Sequence, residues 1–347
     1  MAQRVAAFAP GRVNLIGEHT DYNGGLCLPF AIARGVTVGA ERHGGQDIEA
    51  TTSRDGAHDR FPPAAPPREG AQGWRAHVRG TVSELGRAGV PVPPARVRIE
   101  SDLPPGAGLA SSAALKVALA LALCSMADRP APAPLALAEL CQAVEHRWAG
   151  APTGLLDPLA SLLGEPGRLL RLDCGARRWS TVPWRLSGWT LALADSGERR
   201  ELAASGYAAR REECARAARA LGRDSLRGAT LDEAESLPEP LRSRVRHVVS
   251  EDVRVDDMVL TVRAGDGRRA GALLDAGQLS LREDFEASTP AVEATVARML
   301  DAGATGARMT GGGFGGSVIA LLPPGASLPA GAVVVAPSAG ARVVDAA

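Results

Sequence analysis

Hydrophobic and polar residues follow two spacings along the chain. Short runs rich in β-branched or alternating apolar residues predict strands at 5–8, 26–40, 47–52, 96–100, 169–173 and 189–195. Longer stretches with helical spacing predict helices at 74–85, 113–127, 135–148, 159–163, 199–221, 242–255, 268–285 and 289–302. The chain is therefore a mixed array of strands and helices, and we place a domain boundary near Trp184.

Length and composition indicate an ordinary globular protein. The chain has 347 residues, of which 45% are hydrophobic, and this is enough for two domains with substantial cores. Basic and acidic residues balance at 39 each, without a long block of one sign, so we expect neither nucleic acid nor a membrane surface as a partner. Lysine occurs once, at Lys116.

The cysteines and the longest apolar run bear on the cellular location. The five cysteines are odd in number and widely spaced, which favours a reduced, cytoplasmic setting. The most apolar run, 113–127, is shorter than a membrane span and contains Lys116. Because no charged and then apolar leader precedes Arg12, we expect the protein to be neither secreted nor anchored.

The stretch 103–115 has the composition of a phosphate-binding loop. Gly106 and Gly108 follow a predicted strand and let the backbone approach a ligand closely. Ser111 and Ser112 are predicted N-cap residues of the next helix, whose first N–H groups suit an anion. An ordinary turn before a capped, buried helix is the alternative. The stretch is not a Walker loop, because no Gly-Lys-Ser/Thr sequence closes it.

The segment 9–25 is dense in side chains of the kind that hold sugars. Its charged and amide residues are Arg12, Asn14, Glu18, His19, Asp21 and Asn23. They are interleaved with glycines and apolar residues, which a solvated turn does not need. The pattern predicts a loop that offers several hydrogen-bond donors and acceptors at close range, with a polar surface turn as the alternative.

Two residues further along the chain have ambiguous local settings. Asp157 follows a glycine-rich turn and precedes Pro158 and a short apolar helix, so its immediate neighbours favour a helix cap. Tyr207 lies on a long polar helix, and a lone tyrosine among charges is usually half-exposed packing.

A glycine-rich cluster lies near the end of the chain, at 306–317. Gly311, Gly313 and Gly316 formally match the dinucleotide-binding fingerprint, but that fingerprint requires a helix to follow. The apolar run 318–322 predicts a strand instead. We therefore predict a strand–loop–strand turn that brings the backbone close to a ligand or to the other domain.

These stretches together resemble the motifs of the GHMP family of small-molecule kinases, and among them the galactokinases. The segment 10–22 is similar to the galactokinase signature, 103–114 to the ATP phosphate loop and 308–316 to the third motif. The resemblance implies a two-domain α+β fold, with the active site in the cleft between the domains. Residues 1–184 would form an α/β domain like the second domain of ribosomal protein S5, and residues 185–347 a ferredoxin-like domain.

The same resemblance implies transfer of the γ-phosphoryl group of ATP to the anomeric hydroxyl of α-D-galactose, with Mg²⁺. Asp157 would then accept the hydroxyl proton rather than cap a helix, and Arg12 would steady the phosphoryl charge. The implied sugar-binding residues are Glu18, His19, Asp21, Gly154 and Tyr207. The implied phosphate-binding residues are Gly106, Gly108, Ser111 and Ser112, and the implied metal ligands are Ser112 and Glu145.

Two positions depart from the family pattern. The sequence at 153–158 reads Thr-Gly-Leu-Leu-Asp-Pro where the family usually has Cys-Gly-Ile-Met-Asp-Gln, and Lys116 stands where a glutamate commonly follows the phosphate loop. We expect Lys116 to face solvent, and the alternative is that it adds positive charge near the phosphates. The alternative functions are a kinase for N-acetylgalactosamine, arabinose or a non-sugar alcohol, and a non-catalytic sensor of galactose and ATP. We expect a monomer whose partners are small molecules.

Overall fold

A computed structural model describes residues 3–151, 153–198 and 203–345 of the chain. The strands are β1 (Arg4–Asn14), β2 (Leu26–Cys27), β3 (Pro29–Arg42), β4 (Ile48–Thr52), β5 (His58–Phe61), β6 (Ala95–Ser101), β7 (Arg168–Asp173), β8 (Arg178–Pro183), β9 (Thr190–Asp195), β10 (Gly306–Thr310), β11 (Ser317–Leu322), β12 (Ala332–Val335) and β13 (Arg342–Val344). The helices are α1 (Trp74–Arg87), α2 (Ser111–Met126), α3 (Pro134–Val144), α4 (Leu156–Leu163), α5 (Ala203–Ala220), α6 (Leu231–Glu235), α7 (Leu241–Ala264), α8 (Gly267–Glu283) and α9 (Pro290–Asp301).

Most predicted elements are confirmed to within a few residues. The strands β5, β8, β12 and β13 and the short helix α6 were not predicted, and the predicted strand at 26–40 is divided into β2 and β3. β8 is polar and mostly exposed, and β13 has three residues, so neither has an apolar face. The predicted helix at 199–221 begins outside the described residues, and α5 accounts for the rest.

The N-terminal half is built on a six-stranded sheet in the order β13-β1-β3-β6-β4-β5. β4 runs parallel to β6, and the other neighbours are antiparallel. The segment 9–25, predicted as a loop, begins as strand, because β1 continues to Asn14 and pairs Arg12 with Ala31. An irregularity in register between Pro10 and Arg12 turns the strand locally and directs the Arg12 side chain at the cleft.

Helix α2 is the central helix of the N-terminal half. It is apolar on every face and packs against β1, β3 and α1. The predicted serine caps are wrong: Ser111 and Ser112 lie in the first turn, and Ala110 occupies the N-cap position with a left-handed φ of 60°. A cap needs an extended backbone at the capping residue, and the glycine loop delivers the chain to the helix in a different conformation.

The C-terminal half is built on an antiparallel sheet in the order β10-β11-β9-β12, with α8 and α9 packed against β10 and β11. In order of appearance this is 2-3-1-4, the strand order of the ferredoxin-like fold that the family resemblance implies. The glycine cluster joins β10 to β11, so the predicted strand–loop–strand turn is confirmed. A third sheet, β2-β7-β8, completes the fold.

The two halves share buried surface. One apolar core includes residues of β1, β3 and α2 together with Leu193, Val255 and Ile319 from beyond residue 184. The last strand, β13, also returns to the N-terminal half and pairs with β1. Thus the chain crosses the boundary that we place near residue 184 more than once. Among the described residues, no helix combines the length and hydropathy needed to cross a bilayer.

Candidate active site

A cavity of about 430 Å³ lies between the two halves. Its walls come from the end of β1, the loop after it, the turn before α4, helix α5 and the glycine loop after β10. The predicted sugar-binding residues Glu18, His19, Asp21, Gly154 and Tyr207 all line it, together with Arg12 and Asp157. The fold therefore brings together residues that are nearly 200 positions apart in sequence, as Arg12 and Tyr207 are.

Asp157 and Arg12 form an ion pair at the floor of this cavity. The Asp157 Oδ1 atom accepts a hydrogen bond from Arg12 Nε at 2.7 Å, and Arg12 Nη2 lies 2.7 Å from the same oxygen. Although Asp157 lies in the first turn of α4, its side chain makes no capping hydrogen bond, so the local helix-cap interpretation is wrong. Oδ1 is thus occupied by the guanidinium, and the side chain keeps 31% of its exposure on the cavity side.

Arg12 also connects this carboxylate to the phosphate loop. Its Nη1 donates to the carbonyl oxygen of Gly108 at 2.6 Å, and its backbone N–H donates to that of Leu109 at 3.1 Å. The side chain is buried, which fixes the guanidinium in place. One positive group therefore lies between the carboxylate and the loop expected to hold phosphates.

Asp21 faces Asp157 across the cavity, with Gly154 between the elements that carry them. A Cβ atom at Gly154 would overlap the Asp21 carboxylate, so only glycine allows this approach. Burial, with a further contribution from the Asp157 charge, raises the pKa of Asp21 to about 6. Asp21 is therefore mostly ionised at neutral pH and loses its charge in mildly acidic solution.

Aromatic rings form the wall next to Asp21. The His19 ring lies 5.5 Å from that of Tyr207 and 4.4 Å from that of Phe285, measured between centroids. His19 Nδ1 is 3.0 Å from the hydroxyl of Tyr22, which lies edge-on to Tyr207. The chain has two tyrosines, and both meet here, so Tyr207 is part of the site and not only half-exposed packing.

A buried cluster of charged side chains supports the loop that follows β1. Arg308 on β10 is fully buried and contacts Glu18 and, at 2.8 Å, Glu251 of α7. Glu251 also accepts the backbone N–H of Gly17 at 2.8 Å and pairs with Arg254. Glu18 is thus engaged by Arg308, and its carboxylate also accepts the N–H of Gly311 at 3.3 Å.

The two carboxyl groups of this cluster have pKa values shifted in opposite directions. Burial raises the pKa of Glu18 to about 7, even though Arg308 lies against it. Burial also disfavours the charged form of Glu251, but Arg308 and Arg254 together hold the pKa of that carboxyl below its ordinary value. Sequence analysis missed the roles of Arg308 and Glu251. The available signal was an arginine inside an apolar strand, next to a glycine loop.

Asn14 is one of the polar residues of segment 9–25 to which the sequence assigned no individual role. It lines the cavity at the end of β1 and is 1% exposed. Its backbone is bonded to the Thr310 hydroxyl, at 3.0 Å from the N–H and 2.9 Å to the carbonyl oxygen. Within the described part of the chain, its side-chain amide has no hydrogen-bond partner. A buried, unbonded amide costs about 1–3 kcal/mol, which a ligand group can recover.

The phosphate loop is shaped by its backbone. Gly106, Gly108 and Ala110 have left-handed φ angles of 76°, 77° and 60°. Successive turns of this kind direct N–H groups inward and suit an anion. The Ser317 hydroxyl of β11 donates to the carbonyl oxygen of Ala107 at 2.7 Å, so the C-terminal half also holds the loop.

Lys116 does not face solvent as predicted. It is 1% exposed, and its ammonium contacts Oε1 of Glu145, which also accepts the Ser112 hydroxyl at 2.9 Å. The prediction was wrong because other elements enclose α2, and beyond Ser111 no residue of this helix is exposed. Burial favours the neutral form of Glu145, but Lys116 and His77 together lower the pKa of this carboxyl.

These contacts bear on the predicted metal ligands, Ser112 and Glu145. A hydroxyl and a carboxylate beside the phosphates are a common donor set for Mg²⁺. Here, however, the Lys116 ammonium already occupies the carboxylate oxygen that Ser112 faces. In the described part of the chain, no three His, Cys, Asp or Glu side chains cluster as metal ligands. Glu145 in this arrangement does not fit the role of a direct metal ligand.

Three family models match successive parts of the chain. The galactokinase galactose-binding signature matches residues 2–42, the GHMP kinase N-terminal domain matches 76–165 and the GHMP kinase C-terminal domain matches 258–332. Each matched range contains one of the stretches described above: the segment 9–25 (the sugar loop), the phosphate loop at 103–115 and the glycine turn after β10.

Curated proteins and solved structures agree with these models. The chain is 39% identical to the galactokinase of Bos taurus over 93% of its length and 85% of that protein, and 41% identical to that of Mycobacterium bovis over 91% and 88%. The crystal structure of Lactococcus lactis galactokinase complexed with galactose superposes with a TM-score of 0.90 at 28% identity, covering 98% of this chain and 95% of that one. Mevalonate kinase of Methanococcus jannaschii, at 16% identity and a TM-score of 0.66, shares the fold. The chain belongs to the galactokinase family of GHMP kinases.

Proposed function

We propose that this protein is an ATP-dependent galactokinase, which transfers the γ-phosphoryl group of ATP to the anomeric hydroxyl of α-D-galactose and releases galactose 1-phosphate and ADP. The observation that carries the proposal is the position of Asp157 and Arg12. They form an ion pair on the floor of the cavity, with polar side chains on one side and the phosphate loop on the other. A carboxylate and a fixed positive charge at that point are what a phosphoryl transfer to a hydroxyl needs.

Asp157 is the proton acceptor in this proposal. Because both contacts from Arg12 go to Oδ1, Oδ2 is available to the anomeric hydroxyl. As the hydroxyl oxygen attacks the γ-phosphorus, its proton passes to Oδ2. Arg12 holds the Asp157 carboxylate in a fixed orientation before the transfer, and its charge offsets the negative charge that develops on the transferring group.

The sugar is held by Asp21, His19 and Tyr207 on the opposite wall. Asp21 accepts bonds from hydroxyls, and the His19 and Tyr207 rings give the sugar a flat surface to pack on. Galactose and glucose differ in the direction of the C4 hydroxyl. A misplaced hydroxyl loses one bond and leaves a buried partner unsatisfied, so discrimination of roughly 10²-fold or more is expected from two effects of about 1–3 kcal/mol each.

The nucleotide completes the proposal. The backbone of Gly106 and Gly108 would hold ATP phosphates, with the hydroxyls of Ser111 and Ser112 at the start of α2. We propose that Mg²⁺ arrives as its complex with ATP, as in phosphoryl transfer generally. A cytoplasmic location and a monomeric state are also proposed, from the sequence.

The proposed function is tested by a coupled assay of ADP release over a panel of sugars. We expect galactose to react and glucose to react at least about 10²-fold less efficiently in kcat/KM. The product should be galactose 1-phosphate in the α configuration, identified by its phosphorus NMR signal. Reaction of an N-acetylated sugar or arabinose alone would assign another kinase of the family, and binding of galactose and ATP without turnover would assign a sensor.

A further inference from the structure

The only lysine of the chain is buried on the phosphate side of the cleft. Lys116 lies in the second turn of α2 and contacts Glu145. All the other residues in the count of lysine and arginine are arginine. The single lysine of the chain is therefore at an interior position. An ammonium is a compact point charge, whereas a guanidinium is a wide planar group. The cation beside Glu145 is therefore a compact ammonium and not a planar guanidinium.

The surroundings of this ammonium have the chemistry of a cation site. Ser112, Lys116, Glu145 and Asp157 line one small cavity of about 30 Å³ next to the main one. Two carboxylates and a hydroxyl around one cavity form a donor set that a hard divalent ion takes together with phosphate oxygens. Each carboxylate already has a protein cation: Arg12 pairs with Asp157, and Lys116 pairs with Glu145.

We propose that Lys116 fills the cation position at Glu145 and that Glu145 is not a direct metal ligand in this protein. The side chain would then supply part of the positive charge that a divalent ion supplies where the carboxylate is free. A metal ion that approached Glu145 would have to displace a buried ammonium and leave it without a partner, which is costly. The metal that accompanies ATP is then held by the phosphates and not by this carboxylate. The inference rests on the nucleotide site of the proposed function.

The first experiment measures Mn²⁺ binding by electron paramagnetic resonance, with and without ADP. The single variant Glu145→Gln should have an Mn²⁺ dissociation constant within about 2-fold of the wild-type value, because Lys116 already pairs with this carboxylate in the wild type. Lys116→Met keeps the length of the side chain but removes its charge. It should tighten Mn²⁺ binding by at least about 10-fold, because a carboxylate ligand is released. The double variant should bind Mn²⁺ as weakly as the wild type.

The second experiment uses the single lysine as its own reporter. Labelling with ¹⁵N-lysine gives one side-chain ammonium signal in the NMR spectrum, because the sequence contains one lysine. A buried, paired ammonium exchanges its protons slowly, so the signal should be visible in the wild type and lost in Glu145→Gln. It should persist when Mg²⁺ and ADP are added together.

Three results would overturn the proposal: Mn²⁺ binding weakened at least about 10-fold by Glu145→Gln, unchanged Mn²⁺ affinity in Lys116→Met, or loss of the ammonium signal with Mg²⁺ and ADP. Should Lys116→Met fail to fold, the NMR experiment decides alone. A failure of the proposed function is detected separately. The assay of ADP release over a panel of sugars measures activity, whereas these two experiments measure metal binding and the NMR signal of the ammonium.

Discussion

On the sugar side of the cleft, buried charges from three elements hold the loop, whereas on the phosphate side the backbone itself is the main support. Glu18, Glu251 and Arg308 form the sugar-side cluster, and Arg308 is 290 positions from Glu18. On the phosphate side, Gly106 and Gly108 give the loop its shape through left-handed φ angles. The sugar side is therefore sensitive to the loss of buried charged partners that are distant in sequence, and the phosphate side is sensitive to changes of backbone freedom within a few residues.

The largest expected effect is on the sugar side. Arg308→Met removes the cation that two buried carboxylates share, and breaking a buried ion pair in this way costs about 3–5 kcal/mol of unfolding free energy. Urea denaturation measures the loss. The matched control is Arg219→Met, because Arg219 pairs with Glu212 on the surface and such pairs contribute about 0–1 kcal/mol. Similar losses for the two variants would show that the cluster does not support the sugar loop.

The next largest effect concerns the chemical step, where the two sides meet. Asp157→Asn keeps the size of the side chain but removes the proton acceptor, so kcat should fall by at least about 10²-fold. Galactose affinity, measured by calorimetry, should remain within a few-fold of the wild type. Asp256→Asn, which affects an exposed partner of Arg171, serves as the control. Unchanged turnover in Asp157→Asn would remove the proposed base.

On the phosphate side, Gly108→Val should weaken ATP binding about 10-fold or more and leave galactose binding nearly unchanged, because a branched residue resists a left-handed φ. The control is Gly89→Val, since Gly89 has a φ of 80° with nothing within 4 Å of a Cβ atom, far from the cavity. Both variants strain the backbone, but only the first should alter nucleotide affinity. Equal losses of sugar and nucleotide affinity would mean that the loop is a structural turn.

A smaller effect on the sugar side depends on pH. The pKa of Asp21 is raised from 3.8 to about 6, so between these values the folded protein holds a proton that the unfolded chain has lost. Stability therefore falls as the pH rises through this window, and the penalty is fully present above about pH 6.

Asp21→Asn removes that penalty. At pH 7.5 the variant should be more stable than the wild type by about 1–2 kcal/mol, after allowance for partial exposure, and by nearly nothing below pH 4. Denaturation at several pH values tests the prediction, with the exposed Asp224→Asn as control. Galactose affinity of Asp21→Asn should fall. A gain that does not vary with pH would rule out the titration as its cause.

The smallest effect on stability is expected at Asn14, where the side-chain amide is buried without a partner. Asn14→Ala removes a group that is unsatisfied in the free protein, so the unfolding free energy should change by less than about 1 kcal/mol. In contrast, kcat/KM for galactose should fall by about 10-fold, if the amide bonds a ligand in the cavity. Thr310→Val is the comparison variant, because the Thr310 hydroxyl bonds the backbone of Asn14 and not its side-chain amide.

The contrast between the two sides also explains which parts of the site sequence could predict. Loop residues such as Asp21 and Gly108 lie inside short motifs, and their local composition indicates their role. Glu251 and Arg308 lie within regular elements, and the sequence around them does not show that they meet. Most helices and strands were predictable, because their apolar spacing reflects one buried face.

Lys116 shows where that spacing carries no information. Periodicity identifies the exposed face of a helix only if the helix has one, and α2 is surrounded by β1, β3 and α1. Its composition therefore predicts a helix correctly but says nothing about the direction of a single polar side chain. The position of Ala110 is likewise set by the loop before it and not by the residues that usually cap helices.

The pairing of β13 with β1 has a consequence for synthesis on the ribosome. Proteins are made from the N-terminus, and domains generally fold as units while the chain emerges. Here the outer edge of β1 at Ala6–Phe8 stays unpaired until residues 342–344 have been translated, although β3 is available early. An unpaired strand edge is a template for pairing with other chains. The nascent chain therefore carries an open sheet edge for most of its translation, and a transcript truncated before β13 should yield protein that aggregates.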